Sequence, residues 1–333
     1  MKNVFTKHTF KNIKCILKDT FNGFTNDKGL KLSASLSYYT VFSMAPLLLL
    51  IISLAGAFFG REASEGKIFE EINGLIGSEA ALQVQQIIQN LELSGKTTLS
   101  VIIGTITLII GATTVFGEIQ DSINIIWKVK AKPKRGWVKL LKDRLLSGSL
   151  IVGLGFLLIV TLMVNGVLLT LSDMLRARFP DLTLILLNAV NIVISFGVIT
   201  VLFGVIFKVL PDAKIAWKHV RAGAFFTACL FLLGRYIIGL YIETTAAGSP
   251  YGAAGSIIVI LIWVYYTAAI LYFGAEFTRA YTSFKGARIE PAEYAVYVEQ
   301  KEMERDVRFI PPMPSSLDAE KKKQPGQDKT ETL

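Results

Sequence analysis

Residues 244–275 read TTAAGSPYGAAGSIIVILIWVYYTAAILYFGA, 32 consecutive positions without an Asp, Glu, Lys or Arg, closed by Glu243 and Glu276. A bilayer core of about 30 Å needs roughly 20 apolar residues of helix at 1.5 Å each. This stretch is long enough to cross. Three more charge-free runs lie at 32–60, 145–172 and 182–207. A fifth covers 97–117, and a sixth, 222–242, is interrupted only by Arg235. No soluble helical core calls for six such runs. Backbone groups in lipid must be paired internally, so the spans are helices or barrel strands. Leu47-Leu48-Leu49-Leu50-Ile51-Ile52 does not alternate as a barrel strand would, which leaves helices.

The fold class expected is therefore all-α: a polytopic six-transmembrane-helix bundle, with spans at about 32–59, 98–126, 145–171, 183–207, 219–242 and 251–281. Composition agrees, with 52% hydrophobic residues, 18% charged and a mean hydropathy of +0.49. Residues 1–30 read as a cytoplasmic amphipathic helix on the inner leaflet, its apolar face formed by Phe10, Ile13, Leu17, Phe21 and Phe24 and its end marked by Asp27-Lys28-Gly29. The membrane domain is 31–285, with an amphipathic outer loop at 60–97. Residues 286–333, rich in Pro and Lys, read as a largely disordered cytoplasmic tail after a short amphipathic stretch.

Basic residues set the orientation. Lys2 to Lys31 precede the first span, Lys128 to Arg144 fill the connection between spans two and three, Lys208 to Arg221 that between four and five, and Arg279, Lys285 and Arg288 follow span six. Cytoplasmic loops collect Lys and Arg, so both termini are expected inside. The net charge of +9 then needs no nucleic acid. It makes a basic rim whose partners are anionic lipid headgroups. Trp127, beside the lysine cluster, reads as an interfacial anchor.

Enzyme chemistry finds little support. His8 and His219 are the only histidines and sit apart, Cys15 and Cys229 form no spaced motif, and there is no phosphate-binding G-x-x-x-x-G-K-[ST] loop. No cofactor or metal is expected, and no catalytic residue is assigned. The informative groups are polar residues within the spans, because a charge in hydrocarbon costs a few kcal/mol or more without a partner or water. Glu118, Asp121 and Asn124 form a strip near the inner end of span two, and Glu276 lies near that of span six. With Tyr39 and the kink expected at Pro46, they read as candidates for a cavity open to the cytoplasm. Arg235 is an internal cation for an anionic group, and Glu243 and Tyr251 are candidates for an outer gate. The competing reading has the acids at headgroup depth, pairing with Lys128 or Arg279 and only stitching the bundle.

The run Ser35-Leu36-Ser37-Tyr38-Tyr39-Thr40-Val41-Phe42-Ser43-Met44-Ala45-Pro46 resembles the first-span signature of the YihY/BrkB family of bacterial inner-membrane proteins. So do Leu210-Pro211-Asp212, Trp217, Gly223-Ala224, Tyr251-Gly252-Ala253-Ala254-Gly255, Trp263-Val264-Tyr265 and Gly274-Ala275-Glu276. The resemblance covers about residues 20–285. It implies a six-span protein of the cell membrane, in a family once labelled ribonuclease BN and linked to serum resistance or to movement of lipid precursors. It implies no catalytic residues, and the two separated histidines fit a zinc-dependent ribonuclease badly. The expectation is a transporter or lipid translocator with an inward-facing polar cavity and an anionic or lipid substrate, with room for a homo-oligomer. A non-transporting scaffold for envelope partners is the alternative.

Overall fold

The computed structural model describes residues 2–43, 82, 111, 114–132, 180–245 and 255–299. They belong to a compact unit, Met1–Val298, with Glu299 opening a second unit. Spans three and most of one and two, the outer loop apart from Leu82, Pro46, Tyr251 and the tail beyond 299 lie outside the described residues.

Helix α1 is Lys2–Asn26. A turn at Asp27 and Lys28 separates it from α2, residues 29–43, where the sequence places its break. Helix α3 covers 114–126 and runs into strand β1, Val129–Ala131. Helix α4 is Pro180–Val209, strand β2 Ala213–Lys214, α5 Trp217–Thr245 and α6 Gly255–Phe284. Strands β3, Glu290–Pro291, and β4, Ala295–Tyr297, follow. Of these helices, α4, α5 and α6 are long and apolar enough to cross a membrane. Helices α4 and α5 also expose large apolar side chains, such as Val193 on α4 and Leu233, Ile237 and Leu240 on α5. Such faces suit a helix whose solvent is lipid.

Helices α4, α5 and α6 pack in sequence, and α1 packs on α6. The α5–α6 contact is tight because two glycines meet two threonines reciprocally. A Cβ on Gly223 would fall 1.8 Å from the Thr278 hydroxyl, and one on Gly274 would fall 1.9 Å from that of Thr227. Each threonine returns its hydroxyl to the carbonyl four residues earlier, Thr227 to Gly223 at 2.7 Å and Thr278 to Gly274 at 2.8 Å. Small residues thus let the backbones approach while the threonine's polar atom stays satisfied. Phe207, Ile123, Ile126 and Tyr272, all fully buried, fill the core where α3, α4 and α6 meet.

Two expectations are corrected. The chain is mostly helical but not purely so: β1 pairs antiparallel with β4, Val129 opposite Tyr297, and β2 with β3, Ala213 opposite Pro291. Main-chain bonds from Ala292 to Asp212 (2.9 Å) and from Val298 to Lys128 (2.9 Å) tie the segment after α6 to the ends of α4 and α3. Trp127 is no exposed interfacial anchor. It is 3% exposed and donates its indole N–H to the Ala275 carbonyl at 3.1 Å. Helix α1 meets α6 on one face and leaves three of its five expected apolar residues, one turn apart, open on another. Its Ile16, Thr20 and Gly23 are buried while Ile13, Leu17 and Phe21 stay exposed. Small residues on the inner face let α1 lie close against α6, with Phe24 edge-on to Phe273 at 5.6 Å between centroids.

Candidate functional site

The end of α1 begins the site. Asp27 closes the helix by donating its N–H to Gly23 O at 2.8 Å, and Lys28 then takes a left-handed conformation, φ 55°. Lys128 does the same after α3, φ 59°. Left-handed backbone costs a residue with a Cβ roughly 1–2 kcal/mol. At Lys128 that cost is offset by an ion pair, because its ammonium reaches the Asp27 carboxylate. The other Asp27 oxygen faces Arg279 Nη1 at 3.4 Å. Arg279 Nη1 also donates to Ile126 O at 2.7 Å, capping a carbonyl at the end of α3. Nη2 lies 2.9 Å from Glu276 Oε2.

Two carboxylates and two cations thus share one cluster, formally neutral when all are ionised. Asp27 is 8% exposed and Glu276 1%, whereas Lys128 and Arg279 keep 29% and 28% of their side chains accessible. The cations are the accessible half. The contact from Arg279 to Glu276 is an ion pair at an angle short of a hydrogen bond, so both Glu276 oxygens lack an aligned donor among the described residues. Gly23 is required here, since a Cβ would stand 2.6 Å from Glu276 Oε2 and 2.8 Å from Arg279 Nη2.

A seam of polar groups continues from Glu276 between α3 and α6. Tyr272, one turn back on α6, is fully buried. Its hydroxyl lies against Ser122 without meeting hydrogen-bond geometry, leaving both groups without a partner among the described residues. Half-buried Glu118, one turn before Ser122 on α3, acts electrostatically on the same tyrosine.

A second buried knot lies beside the seam. Asp212, 1% exposed, accepts hydrogen bonds from Gln120 Nε2 at 3.1 Å and Asn124 Nδ2 at 2.9 Å, and its N–H donates to Asn124 Oδ1 at 2.9 Å. Asn124 has its amide filled by this knot.

The sequence candidates are therefore distributed unevenly. The structure brings Glu118 and Glu276 to one seam, turns Asn124 to Asp212, and leaves Asp121 exposed on α3. Tyr39 is 37% exposed on α2, its ring edge-on to Tyr38. Arg235 is half-buried with its guanidinium over the Tyr236 ring at 5.8 Å. Its neighbour Gly234 faces Tyr266 and Ile270 of α6. These stand six to ten positions before Glu276, which sets Arg235 about 9–15 Å further along the bundle. Glu243 lies near the end of α5. Asp27, Ser122, Asp212 and Tyr272 were not singled out as site residues. Asp27 reads locally as a helix breaker, and only the Leu210-Pro211-Asp212 string flagged Asp212.

A protein-family model described as Virulence factor BrkB matches residues 20–295, the stretch that holds the cluster, the seam and the β2–β3 ribbon. The chain belongs to the BrkB family. A UPF0761 membrane protein of Pseudomonas paraeruginosa is 28% identical over 259 residues, 76% of this chain and 59% of the relative. Another, of Tolumonas auensis, is 27% identical over 261 residues, 74% of this chain and 78% of the relative. The chain spans about three fifths of the length of the Pseudomonas relatives it matches. No solved structure matches it. This BrkB-family chain is a membrane protein by its relatives' description and by the three helices fit to cross a bilayer.

Proposed function

We propose that this BrkB-family protein sits in the bacterial inner membrane with both termini cytoplasmic and moves an anionic amphiphile, a lipid or lipid-like molecule, through the seam between α3 and α6. The basic loops support the orientation, because the cluster joins the ends of α1, α3 and α6, where the lysine-rich segments gather. The observation that carries the reading is the run of buried side chains without hydrogen-bond partners: Ser122, Tyr272 and Glu276. Leaving such a group unpaired costs about 1–3 kcal/mol, more when it is charged. A membrane bundle that keeps three together gains most from them if water or a substrate fills the gap. Arg279 and Lys128, partly accessible at the seam's end, would draw the anionic group in.

The test is movement across a bilayer. The full chain in liposomes is assayed with headgroup-labelled phosphatidylglycerol and with a small labelled organic anion. Protein-dependent movement of the lipid, reduced at least about tenfold by a paired Ser122→Val and Tyr272→Phe change, is expected, about 1.4 kcal/mol of barrier. Wild-type vesicles that move neither probe faster than protein-free ones would refute it. The neutral charge cluster favours a second reading, a non-transporting scaffold whose ion pairs only brace the bundle. Under that reading the paired change leaves every phenotype intact.

A further inference from the structure

We propose that Glu276 and Arg279 form a proton-exchanged anion site, in which protonation of Glu276 releases Arg279 to bind one monoanionic phosphodiester. The inference deepens the transport reading and rests on it for its purpose, while its binding step can be measured alone. Glu276 is 1% exposed and lies between a poorly aligned ion pair to Arg279 Nη2 and the Asp27 carboxyl, and Asp27 in turn holds Lys128 and Arg279 Nη1 together. The charged groups facing Glu276 are Asp27 from the α1–α2 turn, Lys128 from the end of α3, and Arg279 one turn along α6. Tyr272 is the titratable neighbour one turn back on α6, and α5 faces this stretch with Phe226 and Thr227.

The charges make the exchange specific. With Glu276 ionised the cluster is neutral, and bringing in an anion would place an uncompensated negative charge among buried groups, which is costly. One proton added to Glu276 converts its carboxylate to a carboxylic acid, ends the ion pair with Nη2 and leaves the cluster at +1. A single monoanion restores neutrality. The group exposed by this step is a planar guanidinium edge, which matches the oxygens of a phosphodiester. Lys128 adds a second accessible cation at the mouth. Arg279 Nη1 stays on Ile126 O at 2.7 Å, so the arginine remains anchored while Nη2 changes partner. Proton and anion therefore bind with positive coupling, each raising the affinity for the other.

The full chain in phosphatidylcholine nanodiscs is titrated with dihexanoyl phosphatidylglycerol and, separately, with glycerophosphoglycerol, the same phosphodiester without acyl chains. Calorimetry in two buffers of different ionisation enthalpy counts the protons taken up. The expected result is about one proton per bound anion and affinity that strengthens up to about tenfold per unit of falling pH. Binding of the lipid alone assigns the site to a headgroup, and equal binding of both assigns it to a free phosphodiester. Glu276→Gln, which mimics the protonated acid, binds tightly at every pH without proton uptake, and Arg279→Gln loses binding. Wild-type affinity independent of pH, binding of neither probe, or an unaltered pH dependence in Glu276→Gln overturns the site. Movement of lipid at rates indifferent to pH would sink this coupling and leave the transport reading standing. Proton-linked binding without movement would do the reverse.

Discussion

Asp212→Ala should be among the most damaging single changes in the described part of this protein, although the residue touches neither the seam nor the charged cluster in the contacts above. The substitution removes the acceptor for two amide donors, Gln120 Nε2 at 3.1 Å and Asn124 Nδ2 at 2.9 Å. Both donors belong to residues no more than 7% exposed, so water cannot replace the lost oxygen cheaply. At about 1–3 kcal/mol for each stranded donor, the loss is roughly 2–6 kcal/mol. The third contact, from the residue 212 N–H to Asn124 Oδ1, survives because it uses the backbone. The assay is unfolding in mixed micelles against rising SDS, followed by tryptophan fluorescence. A double mutant sharpens it: adding Gln120→Leu removes one stranded donor and should return about 1–3 kcal/mol instead of adding a further loss. A single-mutant loss below about 1 kcal/mol, or losses that simply add within about 0.5 kcal/mol, would show that the knot does not hold α3 to the α4–α5 connection.

Gly23→Val should lift α1 from α6, since even its first carbon would meet Glu276 Oε2 at 2.6 Å. A cost of about 1–3 kcal/mol is expected, read as faster trypsin cleavage at Lys28; an unchanged rate would mean that α1 is not docked there. Trp127→Phe keeps most of the ring but loses the 3.1 Å bond to Ala275 O, and should cost about 1 kcal/mol in the same SDS titration. Deleting 299–333 should leave the detergent melting temperature unchanged, whereas deleting 287–333 should lower it, because only the second removes the strands that pair with β1 and β2. Equal behaviour of the two truncations would contradict the role given to the ribbons.

Three of the apolar spans were legible because lipid imposes its demand continuously along a helix. Expected spans at 183–207, 219–242 and 251–281 fall on α4, α5 and α6 with shifts of a few residues at their ends. The break at Asp27 and Lys28 was legible for a local reason, the glycine that follows. Of the partners, only the Glu276–Arg279 pair, three positions apart on one helix, was within reach of the sequence. Asp27 meets Arg279 across a separation of 252 positions, and Asp212 meets Asn124 across 88. At such separations nothing in hydropathy or spacing marks which group finds which. The ribbons escaped because strands of two or three residues are too short to display a period. Trp127 was misread because a tryptophan beside lysines looks the same whether its ring faces headgroups or a neighbouring helix.

The two ribbons also impose an order on biosynthesis. Strand β4 emerges from the ribosome about 170 residues after its partner β1, and a closure this distant is slow to find. Until α6 and the segment behind it have been made, Lys128 O and Asp212 O lack the donors that later reach them from Val298 and Ala292. A chain arrested just before residue 290 thus carries all three of its insertion-competent helices, α4, α5 and α6, with β1 and β2 still unpaired. The last stretch of this domain to be synthesised acts as its seal of completion.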